Sequence, residues 1–294
     1  RMASPQYRYA DGVIYRRDPS PYSYDLRIHD LGHGQVEALA MPRYAWTELD
    51  ASPEALERAA DAQGNIWDAA AGEWVPSASS VKDLEERAAA NRERSARRAK
   101  TQVRRLIKAK NLDTMLTLTY RENMMDRARM ARDFDVFMKR IRRIFPGFEY
   151  VCVFEEQKRG AWHAHLAVQR VQSHYLHKGV LVKSYDLLRA VWRAVVGQGN
   201  VDISRARRHS QRNIAKLAAY LSKYLSKTFD AGGVGDSYRA SGKALPKPVV
   251  VRSLATDLEG AGSDLLGLLF KFYSVRTFHS AYLDCGGVYV AITP

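Results

Sequence analysis

Two tyrosines stand four residues apart in Tyr220-Leu221-Ser222-Lys223-Tyr224-Leu225-Ser226-Lys227, downstream of Trp162-His163-Ala164-His165-Leu166-Ala167-Val168. A phenolic oxygen can attack phosphorus, and a histidine-bound divalent ion can polarise a phosphate oxygen, so the ordered pair of motifs reads as DNA nicking through a covalent tyrosine. Helical spacing puts Tyr220 and Tyr224 on one face with Cβ atoms about 6 Å apart, and Lys223 and Lys227 close to that face one turn along. Phenol has an unperturbed pKa of about 10, so the reaction needs cationic help in the transition state.

The histidines alternate as strand residues do, which aims His163 and His165 at one face and Ala164 at the other. The preceding run Glu155-Glu156-Gln157 leads into Lys158-Arg159-Gly160. A hairpin centred on Gly160 would set Glu155 opposite His165 and Gln157 opposite His163 on that same face. Glu155 is therefore the expected third ligand, while Glu156 points away; a one-residue slip would exchange them. Mixed imidazole and carboxylate donors with open positions, acting on phosphate, favour Mg²⁺ or Mn²⁺. Taken alone, a His-x-His is more often a surface pair and a Tyr-x-x-x-Tyr more often a core stripe. The conjunction with a carboxylate and lysines gives both motifs their chemical reading. His174 and His177 fall in a polar stretch and read as solvated loop residues.

These residues need a scaffold, and 294 residues with 46% hydrophobic content can bury one large core or two small ones. The formal charge of +14 points to a polyanionic partner. Nucleic acid is favoured over membrane because no apolar run approaches the roughly 18 residues of a spanning helix. Two cysteines, Cys152 and Cys285, make neither a disulfide framework nor a zinc ribbon. Arg1-Met2-Ala3-Ser4-Pro5 opens without a hydrophobic signal core, so a bacterial host cytoplasm is the expected location.

Residues 1–80, with turn-rich stretches at 61–65 and 70–73, have no assignable role. A linker over 76–80 leads to a basic helix from Val81 to Lys110, whose Arg97, Arg98, Arg104 and Arg105, with Lys158 and Arg159 of the hairpin turn, are candidate DNA contacts. Strands are predicted at 114–120, 148–157, 161–169 and 200–204, with helices at 125–144, 185–196 and 211–227. The order implies an α+β fold with an antiparallel sheet of about five strands flanked by helices. Glycines at 232, 233 and 235 open a loop before a C-terminal extension, 231–294, expected to pack on the core; 81–230 is the core itself.

Leu116-Thr117-Leu118-Thr119-Tyr120, then Glu155 through His165, then the doubled Tyr-x-x-Lys resemble, in order and spacing, the three motifs of HUH endonucleases. The nearest likeness is to two-tyrosine rolling-circle replication initiators of the phage gene A type. It spans roughly Arg87 to Lys227, with a weaker echo in Tyr238-Arg239-Ala240-Ser241-Gly242. The resemblance implies an HUH fold with ligands on central strands. His163, His165 and Glu155 would hold the metal, Tyr220 and Tyr224 would attack, and Lys223 and Lys227 would contact the scissile phosphate or handle the phenolic proton. It also implies a replication origin of a phage or plasmid, single-stranded or supercoiled, as substrate. The sequence contains no Gly-x-x-x-x-Gly-Lys-[Ser/Thr] loop, so unwinding is expected of a host helicase and replisome. Rival readings are a facial-triad iron oxidase, which leaves the basic helix unexplained, a nonenzymatic nucleic-acid-binding module, and a transposase or mobilisation relaxase within the same chemistry.

Overall fold

Strict alternation builds the central sheet. In Thr114-Met115-Leu116-Thr117-Leu118-Thr119-Tyr120, every second residue is buried and the residues between are half-buried, so the strand must lie between two unlike environments. The computed structural model describes residues 7–10, 13–49, 65–68, 73–76, 80–205, 212–230, 238–242, 245–283 and 286–293. The predicted turns within 61–64 and 70–72, the linker residues 77–79, the glycine loop at 231–237 and Cys285 lie outside them, as does the side chain of Lys227.

The described elements run β1 (Tyr7–Ala10), β2 (Val13–Asp30), β3 (Val36–Leu49), β4 (Asn65–Asp68), β5 (Glu73–Pro76), α1 (Ser80–Ala109), β6 (Thr114–Tyr120), α2 (Arg127–Ile144), β7 (Tyr150–Glu156) and β8 (Trp162–Val168). They continue with β9 (His174–His177), β10 (Val180–Lys183), α3 (Ser184–Val196), β11 (Gly199–Arg205), α4 (Arg212–Asp230), β12 (Tyr238–Ala240), β13 (Val249–Ser253), α5 (Leu258–Phe272), β14 (Thr277–Leu283) and β15 (Gly287–Thr293). The fold is α+β with antiparallel sheets and flanking helices. Two compact units emerge, one drawn from 1–29, 36–91 and 247–292, the other from 30–35, 92–246 and 293–294.

The second unit holds a five-stranded sheet in the order β11-β6-β8-β7-β12, with every neighbouring pair antiparallel. One face carries Leu116, Leu118, Cys152, Phe154, Ala164 and Leu166 against α2 and α3. α2 starts where the Asp126 carboxylate accepts from Arg129 N–H, at 3.0 Å, and aims Met130, Phe134, Phe137, Met138 and Ile141 inward. From α3, Trp192 meets Tyr120 and Phe137 edge to face, with its indole N–H donating to Thr119 O at 2.9 Å. The opposite face buries Val151, Val153 and Ala167 beneath Val103 and Ile107 of α1 and Ala218, Leu221 and Leu225 of α4. α4 lies over β7 and β8. Tyr238-Arg239-Ala240 becomes the outer strand beside β7 in this same sheet, anchored by Tyr150 N–H donating to Ser241 Oγ at 2.7 Å.

The first unit accounts for most of what the sequence left unread. β1, β2, β3, β15 and β14 follow one another in a sheet, with β13 added on β2. Strands from both ends of the chain therefore share one core, where Leu26, Ile28, Val36, Ala38, Val288 and Val290 meet Ala261, Leu265 and Leu269 of α5. The segment from 247 to 292, expected as part of an extension packed on the core of 81–230, groups instead with the N-terminal strands. The 174–177 stretch, expected as loop, forms β9 of a two-stranded hairpin with β10.

Phe134 is fully buried, with its ring edge-on to Tyr150 and Phe154. Phe134→Ala is expected to lower unfolding free energy by about 3–5 kcal/mol, read from the shift of a urea denaturation midpoint.

Candidate functional site

Three sheet strands and one helix converge on the face that carries the histidines. The β7–β8 ladder pairs Glu155 with His163 and Val153 with His165, one pleat away from the predicted register, because the loop from Gln157 to Ala161 closes tightly around Lys158 and Arg159. Gly160, at φ +81°, permits that turn. A shift of two residues conserves facing, so Glu155 and Gln157 stay beside the histidines. Glu156 pairs across the ladder with Trp162 on the other face, which removes it from the choice of ligand.

Glu155 reaches diagonally. Its Oε2 lies 2.9 Å from His165 Nε2 in a buried pair. A carboxylate only accepts, so Nε2 carries the proton and Nδ1 is left as an acceptor for the Thr117 hydroxyl, 3.2 Å away. Thr117 sits directly opposite His165 on β6. Sequence reasoning used Thr117 only as a strand marker; the available signal was a hydroxyl repeated at the polar positions of an otherwise apolar strand. His163 is buried beside Gln157, whose Nε2 lies 3.1 Å from its Nδ1. Burial, then the neighbouring His165 and Arg159, hold the His163 pKa below its ordinary value, which favours the neutral ring that a ligand must present.

Two imidazoles and a carboxylate on one face are donors of the right type for a divalent ion. Their grouping is looser than a closed site: among the described residues no three His, Cys, Asp or Glu side chains gather in metal-binding geometry.

α4 brings the tyrosines to this face and makes them unequal. Tyr224 lies flat on the His165 ring, with centroids 4.6 Å apart and planes 8° from parallel, and it is 8% exposed. Tyr220 stands edge-on to Tyr224 at 5.0 Å and is 47% exposed. Burial, then the hydrogen bond and charge of Tyr220, and then Glu155 push the Tyr224 phenol well above the usual range. Lys223 is exposed on the same helix. Tyr120, the last residue of the first motif, is by contrast a core group whose hydroxyl donates to Asp133 at 2.7 Å.

Residues 113–229 match the model of a family of replication-associated proteins, the ORF2 type. The match begins just before β6 and ends within α4, so it takes in the Thr117 strand, both histidines and both tyrosines. It is consistent with a rolling-circle replication initiator. No curated protein and no solved structure matches the chain. The candidate DNA-contact residues spread around this region. Arg97 and Arg98 are exposed on α1, Arg97 in an ion pair with Glu93 at 2.6 Å, while Arg104 and Arg105 are half-buried. Lys158 and Arg159 are exposed on the β7–β8 turn, where Asn123 Nδ2 donates to Arg159 O at 3.1 Å. No described helix is long and apolar enough to cross a membrane.

Removing the hydroxyl by Thr117→Val is expected to cost about 1 kcal/mol and to alter the ring-nitrogen NMR shifts of His165, whereas Thr117→Ser keeps both near wild type. Tetranitromethane is expected to nitrate Tyr220 before Tyr224, as peptide mass spectrometry over a time course will show.

Proposed function

We propose that this protein is a site-specific single-strand DNA endonuclease and ligase that nicks a replication origin of a phage or plasmid to start and end rolling-circle replication. The stacked series His165, Tyr224, Tyr220 carries the reading, because it sets a nucleophile pair against imidazoles of the metal-binding type. The Tyr220 oxygen attacks the scissile phosphorus, the bond to the 3′ oxygen breaks, and the 5′ phosphate remains on tyrosine. The phenolic proton passes to solvent and the departing oxygen takes one up, leaving a 3′ hydroxyl that primes synthesis. Transesterification keeps the phosphodiester energy for rejoining.

Mg²⁺ or Mn²⁺, held by His163, His165 and Glu155, would supply Lewis acidity at the phosphate. Lys223 and Lys227 add positive charge where the phosphorane charge builds. Arg97, Arg98, Arg104, Arg105, Lys158 and Arg159 contact the strand backbone. Tyr220 acts first because it is open to DNA; Tyr224 cuts the regenerated origin one round later, after its ring leaves His165. Unwinding ahead of the fork falls to a host helicase and replisome.

The test is end-labelled single-stranded DNA from the protein's own replicon, incubated with Mn²⁺, Mg²⁺ or EDTA and run on a denaturing gel. A metal-dependent, protease-sensitive adduct is expected. Tyr220→Phe should lose most of the first adduct, Tyr224→Phe should keep it and fail in the second strand transfer, and the double variant should form none. An adduct surviving the double substitution overturns the nucleophile assignment. Binding without cleavage under any metal instead favours a nonenzymatic nucleic-acid module.

A further inference from the structure

The β9–β10 hairpin serves no part of the chemistry above, yet its surface is unusual. Tyr175 and Val182 pair on one face, and the Tyr175 ring packs on Phe145 at 4.3 Å, which fixes that face inward. Its foot is tied down by Ser184 N–H donating to Ser173 O at 3.0 Å and by the Ser184 hydroxyl donating to Gln172 O. The opposite face then presents two cross-strand pairs, His174 with Lys183 and Leu176 with Leu181. Leu176 is 74% exposed, Leu181 67% and the neighbouring Val180 63%. The tip is Lys178-Gly179, both with positive φ, the backbone of a tight two-residue hairpin turn.

A pair of leucines directly opposite one another and bare to solvent forfeits burial that a folded chain normally takes. Charge says what covers them. No Asp or Glu occurs from Gln157 to Tyr185, a stretch that includes Lys158, Arg159, Arg170, Lys178 and Lys183. The hairpin therefore has an apolar step flanked by cations at tip and foot, which matches a base pair or unpaired base flanked by phosphates. Position agrees with this. His165 faces Thr117, and Thr117 faces Asp202, in one row across β8, β6 and β11. Asp202 then lines a groove of about 310 Å³ with His174 and Lys183 at the hairpin's foot.

We propose that this hairpin is a DNA wedge, in which Leu176 and Leu181 stack on the last base pair of a duplex and hold it open beside the strand entering the histidine face. The inference rests on the nickase reading for its substrate, but its test needs no cleavage. The probe is a DNA hairpin oligonucleotide with 2-aminopurine in the terminal pair of its stem, next to a single-stranded flank, titrated with full-length protein in EDTA.

Wild type is expected to raise the fluorescence. Leu176→Ser/Leu181→Ser should abolish the rise while its affinity for an unpaired oligonucleotide stays within about twofold of wild type. Leu181→Trp, which enlarges the stacking surface, should retain or increase the rise and guards against a trivial folding loss. Equal opening by wild type and the Ser variant, or opening by neither, overturns the proposal. So does a fall in molar mass of the Ser variant by light scattering, which would make the leucines a contact with a second copy. If nicking fails in every metal but opening occurs, the wedge stands and the enzyme reading falls.

Discussion

The candidate site depends on the pairing of β7 with β8. A ladder slipped by a single residue would send Glu155 to the face occupied by Phe154 and Trp162, expose apolar groups in its place and leave His165 without its carboxylate. Register is held because both faces are occupied: Cys152, Phe154 and Leu166 are buried under α2 and α3, and Val151, Val153 and Ala167 under α1 and α4. Burial on both sides leaves no energetically close alternative. The polar trio of His163, His165 and Glu155 is thus positioned by apolar neighbours that take no part in chemistry.

The second constraint is the placement of α4. Its apolar residues Ala218, Leu221 and Leu225 bind it to the β7 and β8 side of the sheet, and the same helical spacing carries Tyr224 onto His165 while leaving Tyr220 at the border with solvent. A symmetric motif becomes an asymmetric pair. The uncovered polar positions of β6 and β11, among them Thr117 and Asp202, then form a path along the same face toward the outward surface of the β9–β10 hairpin. Electrostatics follows the path, since the long acid-free stretch around the hairpins leaves little to repel a phosphate backbone.

Much of the second unit was legible because its periodicities are strong. The 114–120 alternation, the apolar stripe of Phe134, Phe137, Met138 and Ile141, and the helical spacing around Tyr220 each reflect a boundary between core and solvent that local sequence must encode. The first unit was hard to read for the opposite reason. Its sheet joins β2 and β3 to β13, β14 and β15 across some two hundred intervening residues, and strand partners so far apart leave no local trace. The hairpin at 174–183 was missed because its outward positions are polar or basic at the foot and apolar at the centre, a pattern that matches no single template.

By itself the sequence determined which residue types are available for phosphoryl transfer, their order, and the parity that puts His163 with His165 and Tyr220 with Tyr224, because strand and helix periods are properties of the backbone. Tertiary structure decided the rest. It chose Glu155 over Glu156 through register, drew Thr117 to His165 from a distant strand, and buried one tyrosine while exposing its twin. Those outcomes turn on which surfaces meet, and contact between distant segments is fixed only when the whole core closes.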